Sequence, residues 1–255
     1  MKEIVKNVIR IVAPPLVATL PISKWPGWLG RTLGVKVPQS VRKQPLGPTG
    51  AANINILCQM IDRTKHLDGD IVDCGVFFGG STIGMGLYLR QHRIDKVIYG
   101  FDSFEGFDPE TAAKDMELGG LENEDRHLHG FSATSYEMVQ HKVNRYRLHN
   151  VKMIKGYFRD SFPKLSQALR VCFAHLDVNL YESYKECLEF FYGRMVPGGI
   201  VLFDEYNDPP WPGCNKAVDE FLAGKPERLE MIERDNHQKW YFVKTPRLAG
   251  AIEAA

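Results

Sequence analysis

From residue 71 to residue 203, short β-branched and aromatic runs alternate with longer amphipathic ones. A chain of this kind has few solutions, because a strand, a helix and a further strand in regular alternation build a mainly parallel sheet with helices on both faces. Residues 71–77, 96–102, 151–154, 171–176 and 199–203 read as strands, separated by helical patterns at 81–91, 132–146, 161–169 and 181–194. A helix over 50–66 precedes them, one over 215–222 follows, and 229–234 with 240–243 form a closing hairpin. The fold class is α/β.

In open sheets of this type ligands sit outside the carboxyl ends of the strands. Here the ends carry Asp73, Asp102, Asp160, Asp177, and Asp204 with Glu205. The first end, VDCGVFFGGST at 72–82, holds three glycines. Glycine inside a strand or helix costs about 0.5–1 kcal/mol relative to alanine, so the cluster has a conformational or ligand-binding cause. Its spacing, Asp73-x-Gly75-x-x-x-Gly79, departs from the G-x-G-x-x-G pyrophosphate fingerprint. A carboxylate beside exposed backbone N–H groups suits a ligand with an ammonium and a carboxylate, such as the methionine part of S-adenosylmethionine. Asp102, about 20–30 residues beyond the glycine turn, is placed for two ribose hydroxyls, and Phe104 and Tyr157 are candidates to border an adenine. Asp177, Asp204 and Glu205 converge if the strand order reverses at the first strand. Three such carboxylates repel one another unless a hard divalent cation joins them, and oxygen ligation favours Mg2+, or Mn2+ or Ca2+, over zinc.

Lys plus Arg is 32 and Asp plus Glu is 31, for a net charge of +1, so a broad nucleic-acid surface is not expected. Five scattered cysteines without a CxxC pair indicate neither disulfides nor a zinc cluster, and suit a reducing, cytoplasmic setting. The apolar stretch 11–22 is short for a membrane span and is broken by Pro14, Pro15 and Pro21. Residues 1–49 read as an N-terminal arm whose Trp25 and Trp28 pack on the body or on a second subunit; residues 246–255 are a tail. The long segment 106–131 is too large for a simple connection and is expected to be a lid or binding loop. Its His127 and His129, and His237 before the last strand, are the candidate general bases.

The ordered blocks VDCGVFFGGS, FDSFEGF, EDRHLHGFSATSYEMV, KGYFRDSFP, HLDVNLYESYKECL and VPGGIVLFDEYNDPPWPGCNKAVDEF resemble the macrocin O-methyltransferase (TylF/MycF) family. The resemblance spans roughly residues 50–245. It implies a Rossmann-like class I methyltransferase with a seven-stranded sheet, which moves a methyl group from S-adenosylmethionine to a sugar hydroxyl with help from a divalent metal. It further implies that Gly75, Gly79 and Ser81 hold the methionine end, Asp102 the ribose, and Asp160 with Ser161 the adenine edge. Asp177, Asp204 and Glu205 would hold magnesium, which places Asp177 among the catalytic groups. Two positions depart from the pattern: Asn179 stands where many relatives carry Asp, and Asp204-Glu205 stands where some carry paired aspartates. The expected acceptor is a sugar-containing small molecule and the expected assembly a homo-oligomer. The same fold also serves metal-dependent methylation of small catechols and phenols, which is the alternative reading.

Overall fold

The computed structural model describes residues 51–118, 130–234 and 236–246. Helix α1 (Ala51–Thr64) leads into β1 (Asp70–Cys74), α2 (Gly80–His92) and β2 (Ile98–Asp102). Helix α3 (Pro109–Glu117) lies within the expected lid. It is followed by α4 (Tyr136–Arg145), β3 (Val151–Lys155) and the single turn α5 (Phe158–Ser161). The chain then runs through β4 (Val171–Leu176), α6 (Tyr181–Tyr192), β5 (Met195–Phe203), α7 (Pro212–Leu222), β6 (Glu230–Arg234) and β7 (His237–Val243).

The seven strands form one sheet in the order β3-β2-β1-β4-β5-β7-β6. β1 to β5 are parallel and β7 runs antiparallel between β5 and β6. The order reverses at β1, whose two neighbours are β2 and β4, and a crevice opens at such a reversal. All six residues of β4 are buried, so the strand reads as continuously apolar rather than alternating. Its pleat still sorts them. Phe173 joins Ile71 and Ile200 under α1, α2 and α4, while Ala174 and Leu176 join Val72 and Val201 under α6 and α7.

The differences from the sequence reading have local causes. The strand expected over 71–77 stops at Cys74, because Gly75 (φ 90°) and Phe77 (φ 48°) leave extended backbone. The helix expected over 161–169 is only α5 and a 3₁₀ turn, Phe162–Lys164; Pro163 lies in that turn and Leu165 returns to extended backbone. Ser135 caps α4 by accepting the Met138 N–H, so that helix starts at Tyr136 rather than 132. Within the expected lid, α3 docks on α6 through Asp115, which accepts the Tyr181 N–H at 2.9 Å in place of a side-chain cap. The expected arm over 1–49, the lid residues 119–129 and the tail from 247 lie outside the described residues.

Candidate active site

A cavity of about 390 Å³ opens at the carboxyl ends of β1, β2, β4 and β5. Two halves of different chemistry meet in it.

The first half is the β1 turn with the end of β2. A Cβ on Gly75 would lie 1.7 Å from the Asp177 carbonyl oxygen, and one on Gly79 would lie 2.8 Å from Val139. The glycines therefore serve first to bring the end of β1 against the end of β4 and to seat α2, while Gly75, Gly80 and Ser81 line the cavity. Asp73 is fully buried and does not line it. Its carboxylate accepts Ser81 Oγ–H at 2.8 Å and Thr82 Oγ1–H, and faces His175 Nδ1 at 2.7 Å. Asp102 lines the cavity and pins both flanking segments, accepting the Phe77 N–H at 2.8 Å and the Phe104 N–H at 2.6 Å. Burial raises its pKa and these amides counter part of the rise. The turn is clamped from α4 and the segment before it: Thr134 donates to the Phe77 carbonyl at 2.7 Å and Lys142 to the Phe78 carbonyl at 2.8 Å. Burial lowers the Lys142 pKa to about 8. Tyr157 and Gly156 line the cavity. Phe104 is buried against Tyr136, Ser161 is buried, Asp160 is exposed, and none of the three lines the cavity.

The second half is built by β4, β5 and β7. One ligand atom from each of His175, Asp177 and Asp204 lies within 4.8 Å of the others. His175 Nε2 is 3.5 Å from Asp204 Oδ1 while its Nδ1 faces Asp73, so it links the two halves. Lys239 donates to Asp204 Oδ1 at 2.8 Å and to the Asp204 carbonyl at 2.7 Å. Glu205 accepts the Tyr184 hydroxyl and the Asn179 side-chain amide at 3.2 Å. Burial, then repulsion from Asp204 and Glu205, pushes the Asp177 pKa well up. Burial and the Asp204 charge raise Glu205 to about 7. Burial works against ionised Asp204, but His175 and Lys239 hold its pKa well below the carboxylate range. Burial alone would lower His175; its bonds to Asp204 and Asp73 prevail and bring it to about 10.

Neither His175 nor Lys239 stood out in the sequence. His175 is two residues before Asp177 and so shares its face of β4, while Lys239 acquires its place only when β7 pairs with β5. Of the candidate bases, His237 is exposed at the start of β7 and does not line the cavity; His127 and His129 lie outside the described residues.

The sequence model of the macrocin-O-methyltransferase (TylF) family matches residues 30–242. The chain belongs to this family. It is an O-methyltransferase. Among its relatives, the chain is 32% identical over 226 residues to the 8-demethyl-8-(2,3-dimethoxy-alpha-L-rhamnosyl)-tetracenomycin-C 4'-O-methyltransferase of Streptomyces olivaceus, covering 87% of this chain and 82% of that one. It is 29% identical over 196 residues to the mycinamicin III 3''-O-methyltransferase of Micromonospora griseorubida, covering 73% of this chain and 74% of that one. The solved structure of the O-methyltransferase NovP superposes with a TM-score of 0.65 at 28% identity, over 80% of this chain and 82% of that one. In this O-methyltransferase the cavity lies at the β1 reversal, where folds of this type offer their ligand crevice. Among the described residues no helix is long and apolar enough to cross a membrane.

Proposed function

We propose that this O-methyltransferase uses S-adenosylmethionine to methylate a hydroxyl of a sugar, with a divalent cation held beside the donor. The observation that carries the reading is that one cavity joins Gly75, Ser81 and Asp102 to Asp177, Asp204 and Glu205. Relatives that act on glycosylated natural products support the choice of a sugar. In this reading Gly75, Gly80 and Ser81 face the methionine end, Gly79 supports the turn from outside the lining, and Asp102 accepts from the ribose hydroxyls. Gly156 and Tyr157 flank the adenine. Asp160, Ser161 and Phe104 support that wall from outside the cavity. Asp73 acts from behind, fixing Ser81 and His175.

The residues fit a divalent cation by charge. Asp73, Asp177, Asp204 and Glu205 together carry four negative charges when ionised; His175 and Lys239 supply two positive ones. The remaining two are what Mg2+, Mn2+ or Ca2+ neutralises, and the Asp177 pKa is driven up where that neutralisation is lacking. Asp177, Asp204 and Glu205 would hold the ion, and the Asp73–His175 pair buttresses Asp204. Bound there, the ion would lower the pKa of a hydroxyl in contact with it.

The chain's own contribution is alignment. Asp102, Thr134 and Lys142 clamp the turn that would hold the donor, which would keep its methyl group in one place for the acceptor hydroxyl. The O–C bond forms as the C–S bond breaks, and the thioether leaves with the bonding pair. Asn179 bonds Glu205 through its amide and carries no basic atom, so the hydroxyl proton passes to a carboxylate of this cluster or to lid residue His127 or His129.

Incubation with S-adenosylmethionine carrying a labelled methyl group, Mg2+ and a panel of glycosides tests the reading by mass spectrometry. The expected product is a labelled sugar ether whose formation stops with a chelator. Label found on a phenol in place of a sugar would overturn the acceptor, and transfer untouched by the chelator would overturn the ion's role.

A further inference from the structure

Among the described residues two buried side-chain polar atoms have no hydrogen-bond partner, Arg194 Nε and Asn53 Oδ1. The first is accounted for. The Arg194 guanidinium lies 3.7 Å from the centre of the Phe190 ring, and its other two nitrogens donate to the Phe190 carbonyl at 2.8 Å and to Gln167 at 3.3 Å. Asn53 has no such account. An amide oxygen shut away from water without a donor costs stability, and its persistence is explained where something that binds supplies the donor.

Its position indicates what that is. Asn53 stands in the first turn of α1 and lines the cavity together with Ile56 and Leu57 of the next turn. Ile54, next in the chain, packs so closely on α2 that a Cβ on Gly84 would lie 2.5 Å from Ile54 Cδ1. Gly84 is one turn along α2 from Gly80 and Ser81, the two residues of that helix that line the cavity. Helix α1 therefore brings Asn53 alongside the start of α2, in the first half of the site.

The methionine end of the donor carries a carboxylate and an ammonium. Backbone N–H groups at the start of α2 suit the carboxylate. For the ammonium the sequence offers Asp73, but that carboxylate is fully buried, is taken by Ser81, Thr82 and His175, and does not line the cavity. Asp102 serves the ribose in this reading, and Asp177, Asp204 and Glu205 serve the cation. Asn53 Oδ1 is the side-chain acceptor left without a partner.

We infer that the side-chain oxygen of Asn53 receives the α-ammonium of S-adenosylmethionine, so that Asn53, rather than Asp73, recognises the amino end of the donor. This rests on the S-adenosylmethionine reading and deepens it. The last torsion of an asparagine side chain is soft, so turning the oxygen to the cavity costs little. A hydrogen bond from a charged donor is about twice as strong as a neutral one, which makes the ammonium the partner that gains most there.

The test is a two-by-two comparison by calorimetry: wild type and Asn53→Leu, each with S-adenosylhomocysteine and with its analogue in which hydrogen replaces the α-amino group. Asn53→Leu is expected to weaken S-adenosylhomocysteine about tenfold and the desamino analogue less than twofold. Because leucine removes an unmet buried oxygen, the ligand-free variant should unfold at a midpoint no lower than that of the wild type. Asn53→Asp, which carries an oxygen whichever way the group turns, should hold or tighten S-adenosylhomocysteine. Equal weakening of both ligands, weakening of neither, or loss of S-adenosylhomocysteine affinity in Asn53→Asp overturns the inference. So does a fall confined to glycoside binding, which would assign the oxygen to a sugar hydroxyl. All of these leave the donor reading standing, whereas a wild type that binds neither S-adenosylmethionine nor S-adenosylhomocysteine counts against that reading itself.

Discussion

The two halves of the cavity solve their electrostatics in opposite ways. On the β1–β2 side each carboxylate is met by neighbours of the same fold: Asp73 by two hydroxyls and an imidazole, Asp102 by two backbone amides. On the β4–β5 side Asp177 and Glu205 share a tight space with Asp204, and their pKa values are pushed upward. In charge the first half is complete within the chain, as expected of a site that binds a cofactor by shape and fixed hydrogen bonds. On the proposed reading the second is completed by a divalent cation. A fold can thus preorganise one substrate site and leave the other conditional on what binds there.

Several measurements break or sharpen that contrast. The largest effect is expected from Gly75→Ala, whose Cβ would overlap the Asp177 carbonyl and whose φ of 90° suits glycine alone. It forces apart the strand ends on which both halves stand. A loss of more than about 3 kcal/mol is expected, seen as a drop of roughly 6–12 °C in the midpoint of thermal unfolding. Next is Asp73→Ala, which leaves Ser81, Thr82 and a buried His175 without their acceptor; the expected cost is about 3 kcal/mol in denaturant unfolding, with weaker donor binding. Asp73→Asn, which keeps an acceptor oxygen, should recover about half.

A smaller effect is carried by pH and is largest in the second half, although burial also raises Asp102 in the first. The folded-state pKa of Glu205, about 7, lies above the ordinary carboxylate value, so the folded chain binds a proton that the unfolded chain has released. That contribution to stability is fully present below about pH 4.5 and is lost as pH rises through 7. Asp177 and His175, whose folded pKa values are also raised, lose stability in the same direction, so the metal-free chain should lose at least about 2 kcal/mol between pH 5 and pH 8 in urea unfolding; Glu205→Gln should remove only the share of Glu205 and leave a sloping profile. The smallest effect is expected at Asp160, an exposed residue outside the cavity lining. Asp160→Ala should leave the donor dissociation constant within twofold by calorimetry, whereas a tenfold loss would place that side chain on the adenine after all.

Much of this was legible in the chain because parallel α/β folds announce themselves twice, in the alternation of elements and in the residues that end the strands. The strand order reverses at β1 as expected and Asp177, Asp204 and Glu205 all line the one cavity, but the tight group of possible ligand atoms is His175, Asp177 and Asp204 rather than the three carboxylates. What stayed hidden depends on contacts between distant segments. The glycine at 75 looked like a ligand feature, yet its closest constraint is the carbonyl of Asp177 one hundred residues away. Asp73 looked like a group facing the donor, but its oxygens are taken by residues on α2 and β4. Lys239 reads as one more charged residue of a hairpin until β7 inserts between β5 and β6 and carries it to Asp204.

The most direct test of the contrast is calorimetric titration of S-adenosylmethionine and of Mg2+, each in the wild type and in Asp204→Asn. A complete donor half and a conditional acceptor half predict that donor affinity stays within about threefold in the variant and without Mg2+, while the variant's affinity for Mg2+ falls by a hundredfold or more. Donor binding that collapses with Asp204→Asn, or Mg2+ binding that survives it unchanged, would contradict the account.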